Sequence, residues 1–111
     1  MNLKNEFALE IIKLIDELPK EKTCEIISNQ LLRSATSIGA NVVESNSASS
    51  RKDYTNFFSY ALKSANETKF WLELLRDSGK ADMKQSDRLL NETIEIANIL
   101  ASSILTLKGK R

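Results

Sequence analysis

The side chains best suited to chemistry in this sequence are carboxylates, because the chain contains no histidine. The commonest general base, the commonest zinc ligand and every Ser-His or Cys-His nucleophile pair are therefore excluded. Carboxylates on facing helices can hold two iron ions, but such sites also use Glu-x-x-His motifs, which this sequence cannot supply. An all-carboxylate site would have to gather Glu44, Glu67 and either Glu92 or Glu95, and we do not expect one.

Other catalytic motifs are equally scarce. Three scattered glycines cannot build a phosphate-binding or dinucleotide-binding loop, and Cys24 is the only cysteine. We therefore expect no enzymatic activity, no metal and no cofactor. The lone cysteine, together with an N-terminus that lacks the apolar centre of a secretion signal, predicts a cytoplasmic protein. The apolar runs are far shorter than the roughly 20 residues that cross a bilayer, so we expect no membrane span.

The length and the net charge limit the number of domains and the class of partner. A chain of 111 residues with 41% hydrophobic residues can bury one core, so we expect a single domain over residues 1–111. Sixteen Lys or Arg oppose fifteen Asp or Glu, which leaves a net charge of +1. This balance does not mark a general polyanion binder, although it is compatible with a local basic patch.

Hydrophobic periodicity predicts an all-α chain, because apolar residues recur at steps of three and four and no segment alternates strictly. We expect four helices, over about residues 3–18, 20–45, 51–78 and 83–107. The first helix should end against Pro19, and Pro19 should open the second. The apolar face of the first helix consists of Phe7, Ala8, Ile11, Ile12, Ile15 and Leu18.

The later helices carry heptad-like apolar seams. In the third helix this seam comprises Tyr54, Phe58, Ala61, Ala65, Thr68, Leu72 and Leu75. Ser50 and Asp82 are placed to cap the third and fourth helices at their N-termini, and Gly79 to form a left-handed C-terminal cap. Because the connecting loops are short, consecutive helices should be antiparallel. The predicted fold is an up-down-up-down four-helix bundle.

A second stripe lies beside the seam of the third helix and includes two aromatic residues. It consists of Tyr60, Ser64, Glu67, Trp71 and Leu74. A monomeric bundle needs one buried arc per helix, so this additional row indicates burial against another subunit or partner. Alternatively, Trp71 widens the core arc of its own chain.

The second helix carries a polar ridge on the side away from its apolar residues. The ridge is formed by Gln30, Arg33, Ser37, Asn41 and Glu44. Arg33 and Glu44 are about 16 Å apart along the helix axis, too far to pair with each other. The ridge residues should pair across a subunit interface or tie helices together inside the subunit, unless the ridge is an ordinary solvated face.

Basic residues occur at the start of the third helix and at the end of the chain. Arg51 and Lys52 begin the third helix, and the last four residues include Lys108, Lys110 and Arg111. In an antiparallel bundle these side chains could line one end and contact nucleic-acid phosphates. Taken one by one, they are typical of a solvated, salt-bridged surface.

Residues 30–44 read Gln-Leu-Leu-Arg-Ser-Ala-Thr-Ser-Ile-Gly-Ala-Asn-Val-Val-Glu, and Lys52-Asp53 and residues 67–75 follow. The pattern Gln-x-x-Arg-x-x-x-Ser-Ile-x-x-Asn-x-x-Glu resembles the 23S rRNA intervening-sequence proteins, also called S23-type proteins. The resemblance covers nearly the whole chain and implies a bundle that assembles as a ring-shaped homopentamer. A related bundle is the accessory protein of diversity-generating retroelements, which implies RNA or DNA, and a reverse transcriptase or another protein, as partners.

Two functions are therefore open. In the first, the protein is a nucleic-acid-binding accessory module, with phosphate contact by Arg51, Lys52, Lys108, Lys110 and Arg111 and no reading of bases. In the second, it is a scaffold that binds only protein, as the near-neutral charge and the apolar stripe of the third helix indicate. We favour the first.

Overall fold

A computed structural model of the chain describes residues 5–109, which form four helices and, within that range, no strand. The helices are α1 (Glu6–Asp16), α2 (Lys22–Ser45), α3 (Arg51–Asp77) and α4 (Met83–Leu107). Short connections reverse the chain between them, and α2 packs on α3 and α3 on α4. The antiparallel four-helix bundle predicted from the sequence is confirmed, as a rod of 45 × 23 × 20 Å.

The start of α3 is fixed by the side chain of the residue before it. The Ser50 hydroxyl accepts a hydrogen bond from the backbone amide of Asp53 at 3.0 Å, which confirms the predicted N-cap. The Asp53 carboxylate accepts in return from the amide of Ser49 at 3.1 Å. The reciprocal bond of a capping box therefore reaches one residue further back than usual.

The turn between α3 and α4 also has the predicted caps. Gly79 adopts a φ of +75°, the left-handed conformation that favours glycine. The amide of Lys80 then donates to the carbonyl of Leu75 at 3.1 Å, which closes the end of α3. On the other side of the turn, the Asp82 carboxylate accepts from the amide of Gln85 at 2.9 Å and starts α4.

The connection between α1 and α2 is longer than the sequence predicted. α1 ends at Asp16, since Pro19 disfavours helical geometry at Leu18. Glu21 is extended, with φ −127° and ψ 152°, and serves as the N-cap of α2, which begins at Lys22. Pro19 lies in the connection, so the prediction that it opens the second helix is wrong. The predicted start of the first helix at residue 3 lies outside the described residues.

The core follows the seams of α2, α3 and α4. Its fully buried apolar residues on these helices include Leu31, Ala61, Ala65, Leu72, Leu75, Leu89 and Leu100. Between α2 and α3 the buried Thr68 hydroxyl donates to the Ser34 hydroxyl at 2.9 Å. Two polar groups are thereby satisfied inside the core, where an unpaired hydroxyl would be costly.

The apolar face of α1 is rotated relative to the prediction. Phe7, Ile11 and Leu14 are the buried residues of this helix, at steps of four and three. Leu14 was missing from the predicted face, whereas the predicted Ile12 is 39% exposed. Ile11 and Ile12 both fit helical spacing, and the position of α1 against its neighbours decides which of them is buried.

α1 is too short to line the whole bundle. It has 11 residues, whereas α2, α3 and α4 have 24, 27 and 25. It contacts α2 and α4, and Glu10 pairs with Arg88 in the N-terminal half of α4 at 2.9 Å. Residues 6–16 therefore cover the half of the bundle near the α3–α4 turn, and the other half has three described helices.

Candidate nucleic-acid interface

Three of the five basic residues predicted to contact phosphates lie together at one end of the bundle. Arg51 and Lys52 begin α3, and Lys108 follows the last residue of α4. The Nε atom of Arg51 donates to the backbone carbonyl of Leu107 at 3.0 Å, which ties the start of α3 to the end of α4. Lys110 and Arg111 lie outside the described residues.

These basic residues border an open cleft of about 420 Å³, which Thr55, Asn56 and Leu107 complete. Within residues 5–109, Arg51, Lys52 and Lys108 make no ion pair, and all three are exposed. The cleft between α3 and α4 is therefore rimmed by cations that form no ion pair with a described carboxylate.

The opposite end of the bundle has a slight excess of acidic residues. Segments 16–25 and 76–88, which form that end, hold six Lys or Arg against seven Asp or Glu. Segments 44–56 and 100–109 hold three against two, and the sequence continues with Lys110 and Arg111. The excess of positive charge is thus confined to the end where α3 begins and α4 ends.

Ion pairs neutralise several cations at the α3–α4 turn. Lys80 Nζ lies 2.7 Å from the Glu21 carboxylate, and this hydrogen bond lowers the pKa of Glu21 and raises the pKa of Lys80. Arg76 pairs with Asp77 at 2.9 Å and with Asp87 at 3.1 Å, and hydrogen bonds to both carboxylates raise the pKa of Arg76. These cations already have anionic partners, so they are poor candidates for binding phosphate.

An aromatic pair lies next to the basic cleft. Tyr54 and Phe58 stack with ring centroids 5.1 Å apart and an interplanar angle of 26°. They border a second cleft of about 430 Å³ with residues of α4, and Leu107 lines both clefts. Tyr54 and Phe58 are half-buried, unlike the fully buried Ala61 on the same seam.

The sequence pattern placed Tyr54 and Phe58 on the core seam of the third helix, and Phe58 does pack against the core while half-buried, but the second cleft was not predicted. The predicted helix lengths already indicated such a cleft, since the first helix was expected to be much shorter than the other three. A short helix leaves part of each neighbour without a packing partner, and Tyr54 and Phe58 lie in the part of α3 furthest from α1.

The polar ridge of α2 meets the second stripe of α3 within one chain. Arg33 forms an ion pair with Glu67 and donates to Gln30 at 3.1 Å. Glu67 also accepts a hydrogen bond from the indole nitrogen of Trp71 at 3.2 Å. These four side chains form a network, which ties α2 to α3 on the bundle surface.

The remaining ridge residues bond within their own helix. The Ser37 hydroxyl donates to the carbonyl of Arg33 at 2.7 Å, and the Asn41 amide donates to the carbonyl of Ser37 at 2.8 Å. Glu44 is exposed near the end of α2 and makes no ion pair within residues 5–109. Of the predicted ridge, Arg33 is therefore the residue that reaches another helix through its guanidinium.

The second stripe of α3 is divided between core and surface. Trp71 is half-buried and packs against the core of its own chain. Tyr60 and Leu74 are 54% and 39% exposed. Phe70, which the sequence analysis did not single out, is 55% exposed and contacts Trp71 edge-on, with centroids 4.9 Å apart. An apolar surface therefore runs along the outside of α3.

Glu44, Glu67 and either Glu92 or Glu95 are the carboxylates that an all-carboxylate metal site would need. Within residues 5–109, no three His, Cys, Asp or Glu side chains are grouped so that they could hold a metal ion. In the same range no helix has an apolar stretch long enough to cross a membrane.

The comparisons with known proteins cover most of the bundle. A profile of the 23S rRNA-intervening sequence protein family matches residues 2–102, a range that includes Arg51 and Lys52 and ends before Lys108. Among solved structures, the chain is similar to a protein with unknown function from the S23 ribosomal protein family of Bacteroides thetaiotaomicron. The two are 43% identical with a TM-score of 0.83, over 89% of this chain and 92% of that one. The comparison with curated proteins gave no match.

Proposed function

The chain belongs to the 23S rRNA-intervening sequence protein family, and from that premise we propose that it is a non-catalytic accessory protein that binds nucleic acid, RNA above all. The observation that carries the proposal is the meeting of Arg51, Lys52 and Lys108 at the cleft where α3 begins and α4 ends. This cleft is the proposed binding surface, and Lys110 and Arg111, which follow Lys108 closely in the sequence, are proposed as further phosphate contacts.

The chemistry of this end suits phosphate contact. Guanidinium and ammonium groups on an exposed rim neutralise phosphates and release counterions, which supplies affinity without sequence preference. Arg51 is held by its bond to Leu107, and its other guanidinium nitrogens are the groups that would bind a phosphate. Each subunit contributes only a few cations, so one chain binds weakly.

Assembly multiplies this weak contact. We expect the chain to form a homopentameric ring, in which each subunit repeats its basic end around one axis. Linked sites then bind the same nucleic acid together, and the combined affinity exceeds that of a single site by orders of magnitude. The near-neutral charge of the chain is compatible with this function because the cations are grouped.

The outer surface of α3 supports assembly. Tyr60, Phe70 and Leu74 expose between 39% and 55% of their surface there, and Trp71 adds its half-buried indole. Exposed apolar patches that contain aromatic residues are typical of protein interfaces. A cyclic ring uses two different patches on each subunit, and this surface is one of them.

A scaffold that binds protein alone is the second candidate, and the same α3 surface favours it. In that case the apolar patch receives a different protein, such as a reverse transcriptase, and the basic end stays in solvent. Under either function the site of action is the cytoplasm, where the buried thiol of Cys24 stays reduced.

Titration with structured RNA and with duplex DNA at about 50 and 200 mM salt tests the proposal. Three phosphate contacts per subunit should weaken binding by roughly 20- to 40-fold between these two conditions, and contacts from several subunits should weaken it further. Absence of binding at the lower salt would contradict nucleic-acid binding and favour the scaffold that binds protein alone. Binding that does not depend on salt would exclude phosphate contact by the basic end.

A further inference from the structure

The second cleft at the basic end gives the proposed interface a way to distinguish single strands from duplexes. From its geometry we infer that the cleft beside Tyr54 and Phe58 receives one unpaired base of a single-stranded nucleic acid, while the adjoining phosphates lie on Arg51, Lys52 and Lys108. This inference rests on the proposed function, because it names the form of nucleic acid that the same end binds.

The aromatic pair provides the stacking surface. Tyr54 and Phe58 already stack on each other at 5.1 Å, and a base on the face of Tyr54 that Phe58 does not cover extends that stack. Bases stack on aromatic side chains in proteins that bind single strands, whatever the sequence, since every base has a π-face. A paired base inside a duplex does not present that face.

The remaining walls of the cleft suit a flat, polar-edged ligand. Ile99 and Leu107 supply apolar contact, and the volume of about 430 Å³ lies within the range of about 300–1,000 Å³ for small-ligand pockets. The hydroxyls of Ser103 and Thr106, which also line the cleft, donate to backbone carbonyls of α4 at 2.9 and 3.2 Å. Their oxygens still have free lone pairs, which can accept from N–H groups on the edge of a base.

The relative position of the two clefts matches a nucleotide, which has an anionic and an aromatic part. Leu107 lines both clefts, and Arg51 is bonded to its carbonyl. A strand whose phosphates follow the basic rim therefore passes directly beside the aromatic cleft. A protein ligand would need an acidic residue next to an aromatic one to satisfy both clefts, whereas every nucleotide of a single strand does so.

The test measures binding of an unstructured single-stranded RNA and of a duplex RNA of the same length by fluorescence anisotropy at about 50 mM salt. Tyr54→Leu keeps an apolar side chain at the seam and removes the aromatic ring. It should weaken single-strand binding by roughly 5- to 150-fold, the effect of losing one stacked base, and leave duplex binding unchanged. Tyr54→Phe keeps the ring and should bind the single strand as the wild-type protein does.

A second variant tests the same cleft in case Tyr54→Leu does not fold. Ser103→Leu fills the cleft from α4 without changing the aromatic pair, and it should reduce single-strand binding selectively. If both variants bind single strands normally while Arg51→Gln/Lys52→Gln/Lys108→Gln loses binding, the aromatic cleft has no such role and the phosphate interface stands. If the wild-type protein binds neither RNA, the proposed function and this inference both fail.

Discussion

The side chain of Arg33 in α2 forms an ion pair with Glu67 in α3, 34 positions later in the sequence. Glu67 in turn accepts the indole N–H of Trp71. Gln30 and Arg33 of α2 are therefore joined to Glu67 and Trp71 of α3 in one network within the chain. The surface that we propose for assembly lies further out, on the exposed residues of α3.

The strength of that network can be measured directly. Arg33→Gln and Glu67→Gln should each lower the free energy of unfolding, with a coupling energy of about 0.2–1 kcal/mol between them, since the pair lies at the surface. A double-mutant cycle in urea denaturation gives this coupling. Additive effects of the two substitutions would contradict the network.

Two glycines with left-handed backbone conformation, one in the α3–α4 turn and one after the end of α4, form a matched pair for substitution. Gly79 and Gly109 have φ values of +75° and +71°, and an added Cβ would meet no atom within 4 Å at either site. Gly79→Ala should cost about 1 kcal/mol in thermal or urea unfolding, because a left-handed residue there joins two helices. Gly109→Ala should cost much less, since within the described residues no helix follows Gly109 that its conformation has to position. Equal losses of unfolding free energy in the two variants would contradict a special constraint at the α3–α4 turn.

Substitution of two glutamates at the contact between α1 and α4 should change the stability at neutral pH in opposite directions. Burial raises the pKa of Glu92 and nearby Glu10, Glu95 and Glu6 add to this, against an opposing effect of Arg88. The protonated form of Glu92 therefore favours the folded state. Its contribution to stability is complete below the pKa that Glu92 has in the unfolded chain, and it is lost as the pH rises through the pKa in the folded protein. Glu92→Gln should stabilise the protein at neutral pH and leave it unchanged in acid.

Glu10 is the matched control for this experiment. The hydrogen bond from Arg88 lowers the pKa of Glu10, so its contribution is present above the unfolded pKa and is lost as the pH falls through the folded value. Glu10→Gln should destabilise the protein at neutral pH and have little effect below the folded pKa. Urea unfolding of both variants at pH 3 and pH 7 checks the signs, and effects of the same sign would contradict this assignment.

The sequence predicted the fold well because each local signal agreed with the packing. Ser50, Gly79 and Asp82 act where their types and positions indicated, since caps depend on neighbouring residues only. The choice between Ile12 and Leu14 for the buried face of α1 depends on where α2 and α4 lie, which helical spacing does not encode.

The candidate site was predicted less completely. The antiparallel arrangement was enough to place Arg51 beside the end of α4, and the structure adds the bond to Leu107 that fixes it. The partner of Arg33 could not be predicted, because the pairing with Glu67 depends on the register between α2 and α3. Phe70 was missed because a single exposed aromatic residue adds little to a periodic pattern.

Assembly should depend on exposed residues of α3 more than on its core. Leu74→Asp puts a charge on the outer surface, where Leu74 is 39% exposed, and should leave the helix content unchanged. Light scattering at micromolar concentration should give five times the mass of the chain for the wild-type protein and a smaller species for this variant. A wild-type protein of monomer mass would exclude the ring.

Binding by two variants that each lose three positive charges tests the central claim most directly. Arg51→Gln/Lys52→Gln/Lys108→Gln removes the cations of the basic cleft, and Lys20→Gln/Lys22→Gln/Lys84→Gln removes exposed cations from the opposite end of the bundle. At about 50 mM salt the first variant should bind structured RNA at least about tenfold more weakly, with a shallower salt dependence, while the second should bind as the wild-type protein does. Equal losses in both variants, or no loss in the first, would contradict a nucleic-acid interface at this end.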